Sequence, residues 1–285
     1  MFASVDLARR IERAECSLLV EMAEAARRHA GDADILVAHI SGGVAVFSGA
    51  DAPINKLAGL GFAEPLEENA LEVVEREFER RQTSLVVELS SLAATPAAIL
   101  LTRRGYALVG FEDVLGVRLD QASLGRLADG SSPPGEAISV AEASDAEAPA
   151  WIDAVITGFA HPDTVEGLVP HESFDRESME QFFEMYRRAR GLRRYLAYRD
   201  GNVAGGASLG LFDGVALLCG AATLPSHRRR GVQSALLRAR LDAATQAGCD
   251  IAVMTTQPGS KSQENGIRQG FSHLYTRAVL RRERP

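Results

Sequence analysis

Two parts of the chain repeat one order of elements: an amphipathic helix, an apolar strand, a short helix ending in a glycine–aromatic turn, and a final strand. The offset between the copies is constant. Gly105 and Gly270 of the two turns are 165 residues apart, and so are Leu85 and Asp250 of the apolar strands. A fixed offset across several elements indicates an internal duplication. The patterns that carry the repeat are 67–80, 84–89 and 114–117 in the first copy and 232–247, 250–255 and 273–280 in the second.

We therefore predict an α/β fold with two duplicated lobes. The alternative is two unrelated α/β halves that happen to have similar turns. A Ser-, Gly- and Pro-rich stretch, 121–136, separates the copies and has the composition of an interdomain linker. The expected division is a domain over 1–120, a linker over 121–136 and a second domain over 137–285, which suits a chain of 285 residues.

Composition excludes several classes of protein. The net charge of −7 argues against a general nucleic-acid binder, and no apolar segment reaches the roughly 18 residues that a membrane span needs. The three cysteines are unclustered, which favours a reducing cytoplasm over a disulfide or zinc framework. A predicted first helix, 6–29, is rich in arginine but also in acidic residues, which argues against a transit peptide. We expect a cytoplasmic protein without a metal ion and without nucleic-acid or membrane partners.

The second copy contains a basic strand–loop–helix junction. An apolar run over 215–224 leads into His227-Arg228-Arg229-Arg230-Gly231, and a helical pattern follows from Val232. The first backbone N–H groups of a helix have no partner within the helix, and the helix dipole adds positive potential there. Such a junction holds anions such as a pyrophosphate, and a glycine lets the phosphate approach the backbone closely.

The first copy has lost this junction. Residues 63–68, which correspond to 228–233 at the same offset, read Ala-Glu-Pro-Leu-Glu-Glu. The segment contains three carboxylates and no arginine, and like charge repels a pyrophosphate. We therefore expect one nucleotide site per chain, in the C-terminal half.

The segment Arg228-x-x-Gly231-x-Gln233 resembles the acyl-CoA loop of the GNAT acyltransferase superfamily, which reads Gln/Arg-x-x-Gly-x-Gly/Ala. The flanking elements over 137–285 follow in the order of that family, and Gly270-Phe271 matches its turn before the last strands. The first half resembles the same fold without a cofactor loop, as in tandem GNAT proteins. The resemblance implies two lobes, each with a mixed, mostly antiparallel sheet flanked by helices. The matching segments are strands 138–140, 195–201, 203–211 and 215–224 and helices 151–159 and 174–190.

The resemblance also implies an activity. Family members transfer an acyl group directly from CoA to a nucleophile, so we expect acetyl-CoA or another short acyl-CoA as cofactor and an amine of a small molecule or peptide as acceptor. An oxyanion donor is expected among the main-chain N–H groups near 219–222. The residues assigned to CoA are Ala222, Thr223, Leu224, Arg228, Arg229, Arg230, Gly231, Val232, Gln233, Ser234, Ser262 and Asn265.

Two positions depart from the family pattern. Gln233 stands where the family has Gly or Ala, although its backbone N–H can still serve a phosphate. Gly266 stands where many members carry a tyrosine that protonates the CoA thiolate. The nearest phenol in sequence is Tyr275, which is the candidate catalytic acid. Water or a main-chain donor near Ser262 and Asn265 is the alternative.

The general base is not fixed by the sequence. Cys219 is a core residue or, as the alternative, a covalent nucleophile. A non-catalytic acyl-CoA-binding or regulatory protein remains the second functional hypothesis, because the usual acid is missing. Another nucleotide-binding α/β protein is disfavoured, because the chain has neither a Gly-x-Gly-x-x-Gly nor a P-loop motif. The candidate bases lie between the first two helices of the second half: His161, Asp163, Glu166, His171 and Glu172.

Overall fold

The computed structural model describes residues 1–30, 34–122, 125, 138–162 and 175–282. Most of the predicted linker 121–136 lies outside the described residues. The strands are β1 (Leu36–Ile40), β2 (Gly43–Phe47), β3 (Lys56–Ala58), β4 (Leu85–Ser90), β5 (Ala107–Arg118), β6 (Ile138–Glu142), β7 (Leu192–Arg199), β8 (Asn202–Phe212), β9 (Val215–Thr223), β10 (Ile251–Thr256) and β11 (Ser272–Arg282). The helices are α1 (Val5–Ala30), α2 (Glu68–Arg80), α3 (Thr95–Arg103), α4 (Ala148–Ala160), α5 (Arg176–Tyr186), α6 (Val232–Gln246) and α7 (Lys261–Arg268).

The turn and cap residues explain where several of these elements end. Gly248 follows α6 with φ +78°, and its N–H donates to Thr245 O at 3.0 Å. A left-handed residue after the last helical turn is favourable for glycine, because it has no Cβ to clash. Gly105 and Gly270 close α3 and α7 with φ of +81° and +84°. The two turns that carry the sequence repeat therefore share one backbone conformation.

The strands form one sheet of 11 strands in the order β1-β2-β3-β4-β11-β5-β10-β9-β8-β7-β6. The run β1-β2-β3-β4 in the first half has the same order as β7-β8-β9-β10 in the second. In each run the last two strands, β3–β4 and β9–β10, pair in parallel and the others are antiparallel. The predicted mixed, mostly antiparallel and duplicated α/β fold is confirmed.

The two halves exchange their last strands. β5 of the first half lies between β10 and β11 of the second, and β11 lies between β4 and β5. Each copy thus completes its sheet with a strand from the other copy, which the repeat alone does not predict. The division into domains at 1–120 and 137–285 remains a prediction about the sequence, since the sheet itself is continuous across both halves.

The helices cover both faces of the sheet. α1, α4 and α5 pack on one face, and their core includes Leu217 of β9 and Val253 of β10. α6 packs on the opposite face against Leu218 and Met254, the next residues of the same strands. This alternation is expected of strands buried on both faces. In the first half, α2 and α3 pack against β1, β2, β3 and β4 and form a third core cluster with them.

A buried ionic cluster fixes α1 on the sheet. Arg277 of β11 is 1% exposed, and its Nε donates to Glu12 Oε1 of α1 at 2.8 Å. Its Nη1 lies 3.4 Å from Glu88 Oε2 of β4, and Glu88 also accepts a hydrogen bond from Lys56. Burial raises the pKa of Glu88 to about 7, even though both cations lower it. A buried charge that loses its partner is strongly destabilising, so this cluster specifies where α1 lies.

No helix in the described ranges is long and apolar enough to cross a membrane.

Candidate active site

The parallel strands β9 and β10 separate part-way along their length. Val215–Leu217 pairs with Ile251–Val253, and no later residue of β9 pairs with β10. β9 nevertheless continues to Thr223 and remains bound to β8 on its other side. The edge of β9 that faces β10 therefore presents main-chain groups from 218 onward that no neighbouring strand uses.

A bulge in β9 frees two further residues. The register with β8 passes from the pair Ser208–Cys219 to the pair Gly206–Ala222, so Gly220 and Ala221 have no partner on β8. Gly220 adopts φ +55°, a left-handed conformation that favours glycine. Bulges break a ladder locally and re-aim its groups. The oxyanion donor was predicted near this segment, and here the main chain of both residues lies outside the strand ladder.

A cavity of about 250 Å³ lies at the separation of β9 and β10. Its walls include residues from both faces of the sheet, so it passes between the two strands from the side of α1 to the side of α6. α1 contributes three residues at helical spacing, and these come from the first half of the chain. The lining residues are Ile11, Glu15, Leu18, Phe159, Leu217, Leu218, Cys219, Gly220, Ala221, Gln233, Arg240, Val253, Met254, Thr255, Ser262 and Arg277.

The N-terminus of α6 has no side-chain cap, and Gln233 in its first turn lines the cavity. Gly231 occupies the cap position with φ +87°, and the first helical hydrogen bond runs from Ala235 N to Gly231 O at 3.0 Å. The N–H groups of 232–234 precede that bond and have no acceptor within the helix. By contrast, α5 and α7 are capped by the side chains of Asp175 and Ser260. The junction therefore fits an anionic group such as a pyrophosphate.

Residues 159–271, which include the cavity strands and α6, match the model of the acetyltransferase (GNAT) family. A GCN5-related N-acetyltransferase from Kribbella flavida is similar in structure, with a TM-score of 0.62 and 21% identity over 92% of this chain and 95% of that chain. A tandem GNAT protein from the clavulanic acid biosynthesis pathway has a TM-score of 0.58 and 15% identity over 85% of this chain and 78% of that chain. Residues 159–271 thus match the acetyltransferase (GNAT) family, and the chain as a whole has the fold of a tandem GNAT protein.

A GCN5-related N-acetyltransferase from Sphaerobacter thermophilus is similar over 81% of this chain and 72% of that chain, with a TM-score of 0.54 and 16% identity. No curated protein matches the sequence. At these identities the solved structures establish the fold, and the family match covers residues 159–271.

The three arginines of the GNAT loop lie in different surroundings. Arg228 turns inward, where Nε donates to Thr223 O at 3.4 Å and Nη2 donates to the carbonyls of Gly158 and His161 at the end of α4. Cations are favourable at a helix C-terminus, so Arg228 holds the loop against α4. Arg229 is exposed, has φ +59°, and makes no hydrogen bond or ion pair within the described ranges. Arg230 is exposed as well.

The other residues assigned to CoA fall into two groups. Ala222 and Thr223 pair with Gly206 and Gly205 of β8, and Leu224 N donates to Ala204 O, so their other edge faces the separation of the strands. Gln233 and Ser262 line the cavity. Val232 is buried, the Ser234 hydroxyl accepts from Gln269, and Asn265 accepts from Arg268 and does not line the cavity.

Tyr275 is not brought to the cavity. It is 2% exposed, and its hydroxyl donates to Glu12 Oε1 at 2.7 Å. Burial, followed by the charge of Glu12, raises its pKa well above the usual range. Its role as catalytic acid remains a prediction that this placement does not favour. Gly266 is packed against two side chains: an added Cβ would lie 2.7 Å from Met254 Sδ and 3.1 Å from Leu115 Cδ1, so a larger residue there requires these side chains to move.

Glu15 of α1 was not among the candidate bases, but it lines the cavity. Its side chain makes no hydrogen bond or ion pair within the described ranges. Of the five candidates, His161 is exposed, and its Nδ1 contacts Thr157 O at 2.9 Å. Asp163, Glu166, His171 and Glu172 lie outside the described residues. A sequence signal did exist: Glu15 falls between Ile11 and Leu18 on the apolar face of the first helix.

Cys219 lines the cavity as a neutral thiol. Burial raises its pKa to about 11, and its Sγ lies 2.8 Å from the hydroxyl of Tyr186. A cysteine nucleophile reacts as the thiolate, which neutral pH does not populate at this pKa. This favours the core interpretation of Cys219 over the covalent one.

Proposed function

We propose that the protein is an acyl-CoA-dependent N-acyltransferase whose cofactor site lies in the C-terminal half. The observation that carries this proposal is the joint presence of an uncapped helix N-terminus and an open strand edge at one cavity between β9 and β10. A helix N-terminus suits a pyrophosphate, and an open strand edge suits an extended chain of amides such as pantetheine.

Named residues would hold the cofactor. The N–H groups of Val232, Gln233 and Ser234 would bind the pyrophosphate, with Arg229 as an exposed counter-charge. The main chain over 222–224 would pair with pantetheine as far as Pro225, which has no N–H and ends the ladder. Ser262 would contact the cofactor from α7. The acyl-CoA, proposed to be acetyl-CoA or another short ester, supplies an activated thioester carbonyl.

Glu15 is our proposed general base. It reaches the cavity from the α1 side, opposite α6, so an acceptor amine can enter from the face that the cofactor does not use. Its carboxylate would take one proton from the acceptor ammonium, directly or through water. The amine nitrogen then forms the C–N bond as the C–S bond breaks. The second proton of the ammonium ends on the departing sulfur.

The bulge would stabilise the charge that develops on the thioester oxygen. Main-chain N–H groups at Gly220 and Ala221 lie outside the β8 ladder and at the cavity wall, where preorganised donors stabilise an oxyanion. For the leaving sulfur, the cavity offers the hydroxyls of Thr255 and Ser262 and access to water. A thiol has a pKa of about 8.5, so departure with little protonation is feasible near neutral pH.

We propose one site per chain. At the start of α2, the equivalent of α6, Glu67 and Glu68 stand beside Glu64, and their charge opposes a phosphate. The proposed domains are 1–120 without a cofactor loop and 137–285 with the active site, joined through 121–136. The three free cysteines support the cytoplasmic location that we propose.

The test is to incubate the protein with acetyl-CoA and a panel of small-molecule and peptide amines, following thiol release and product mass. Acylated amine and free CoA are expected in equal amounts. A non-catalytic acyl-CoA-binding protein is the second candidate, favoured by the glycine, Gly266, that is packed at the position of the family's usual acid. Calorimetric binding of acetyl-CoA without thiol release over the whole panel would support that candidate instead.

A further inference from the structure

The buried face of α6 contains one cation. Its other buried residues are apolar: Val232, Leu236, Leu237, Leu241 and Ala244. Arg240 stands among them and is 0% exposed. A leucine at this position would continue the apolar face. An arginine is costly to bury without a partner of opposite charge, so its presence calls for an explanation.

Protein groups satisfy this guanidinium only in part. Its Nε donates to Leu236 O at 3.1 Å, and its Nη1 donates to Ser208 O at 3.2 Å. Its Nη2 is buried without a hydrogen-bond partner, and no carboxylate in the described ranges forms an ion pair with it. Burial lowers its pKa to about 10. At neutral pH it is still a cation, with one donor nitrogen unused.

Arg240 also lines the cavity, farther along α6 from the proposed phosphate site. Gln233, at the start of α6, lines the same cavity seven residues earlier, or about 10 Å along the helix axis. Ser208, whose carbonyl Arg240 contacts, pairs with Cys219 of β9. Arg240 therefore lies at the level of Cys219, two residues before the proposed oxyanion donor at Ala221. A group at that depth lies beyond the thioester carbonyl, where an acyl chain ends.

We infer that the acyl group carries a terminal carboxylate, as in the malonyl, succinyl and glutaryl esters of CoA, and that Arg240 binds this carboxylate. The inference rests on the proposed acyl-CoA function and narrows its donor. A carboxylate supplies the missing charge and accepts from Nη2, and hydrogen bonds between charged groups are the strong ones. An acetyl group supplies neither. Glu15 also lines the cavity, but it lies on the α1 side and forms no ion pair with Arg240.

The experiment compares acetyl-, malonyl-, succinyl- and glutaryl-CoA on the full chain, by calorimetric binding and by thiol release with the amine panel. We expect at least one of the three acidic esters to exceed acetyl-CoA in kcat/KM by about 10-fold or more, because a site with an unpaired polar group rejects analogues that leave it unpaired. Arg240→Leu should reverse that preference, and Arg240→Lys should retain part of it.

Arg238→Leu is the matched control, because Arg238 is an exposed arginine on the same helix. It should keep the wild-type ratio of the esters. Calorimetry on the wild-type chain tests the inference even if Arg240→Leu does not fold. If acetyl-CoA binds and reacts as well as all three acidic esters, the inference is overturned and the proposed function stands. If none of the four esters binds, both are overturned.

Discussion

Arg277 of β11 lies directly opposite Glu112 of β5, and these two residues are themselves 165 positions apart. The pseudo-twofold axis that relates the halves therefore passes between them. The pairing of β5 with β11 also leaves Leu274 and Val109 without a partner, and these two residues are again 165 positions apart. A symmetric dimer would have to place two identical residues at such an axis. In a single chain the position holds opposite charges, with Arg277 Nη1 4.0 Å from Glu112 Oε2.

The strand exchange at this axis predicts that neither half folds alone. Without β4 and β5, residues 137–285 would expose one edge of β10 and both edges of β11, and exposed edges promote aggregation. We expect 1–120 and 137–285 to be insoluble or unfolded when expressed separately, and to form a stable heterodimer when expressed together. Circular dichroism and size-exclusion chromatography would measure this. A monomeric 137–285 with cooperative thermal unfolding would contradict the expectation.

The repeat in the sequence predicted the fold well because both copies use the same local signals. Left-handed turns at Gly105 and Gly270 and an apolar strand before each are local features, and the structure contains both. The exchange of β5 and β11 was not predictable from these signals, because antiparallel pairing with either copy satisfies the same pattern.

The cofactor loop was likewise visible as a local motif, since Gly231 and the following helix are contiguous in sequence. The residues proposed to face the acceptor could not be recognised from a local motif. Glu15 and Ala221 come together only when α1 packs across β9, and Glu12 and Arg277 fix that packing through contacts between residues 265 positions apart. A carboxylate on an amphipathic helix is usually solvated, so its spacing alone does not reveal a cavity.

Gly231→Glu should abolish acyl-CoA binding. It places a side chain where φ is +87° and a negative charge at the N-terminus of α6, where the phosphate would approach. Isothermal calorimetry should give one acyl-CoA site for the wild type and none for the variant. Gly105→Glu, at φ +81° with open space around it, carries the same strain and charge in the first half and should bind normally. Two equivalent sites in the wild type would refute the single-site expectation.

Glu15→Gln should lower kcat by roughly 10²–10⁴-fold, the usual contribution of a general base, with little change in acyl-CoA affinity. The amide keeps the shape and cannot accept the proton. Glu24→Gln on the same helix removes a carboxylate from an ion pair with Arg27 and should keep full activity. Wild-type turnover in Glu15→Gln would remove Glu15 from the mechanism.

Tyr275→Phe should cost stability more than activity. The hydroxyl donates to buried Glu12, which keeps its bond to Arg277 in the variant. Loss of one such bond costs about 1–3 kcal/mol, so denaturant unfolding should show a lower midpoint. Turnover at saturating acyl-CoA should remain within a few-fold of the wild type. A fall of roughly 10²–10⁴-fold without a loss of acyl-CoA affinity would instead establish Tyr275 as the acid.

Cys219 should resist alkylation until the solution is strongly basic. Burial raises the pKa of its thiol to about 11, and only the thiolate reacts. A raised pKa means that the folded state holds a proton that the unfolded state releases. The stabilising contribution of this neutral thiol is therefore complete below the ordinary thiol pKa and decreases as the pH rises towards 11. Iodoacetamide labelling followed by mass spectrometry should show little modification of Cys219 at pH 7–9, and Cys219→Ala should still release CoA in the transferase assay. Rapid labelling at pH 7 together with an inactive Cys219→Ala variant would instead point to a covalent acyl-cysteine route.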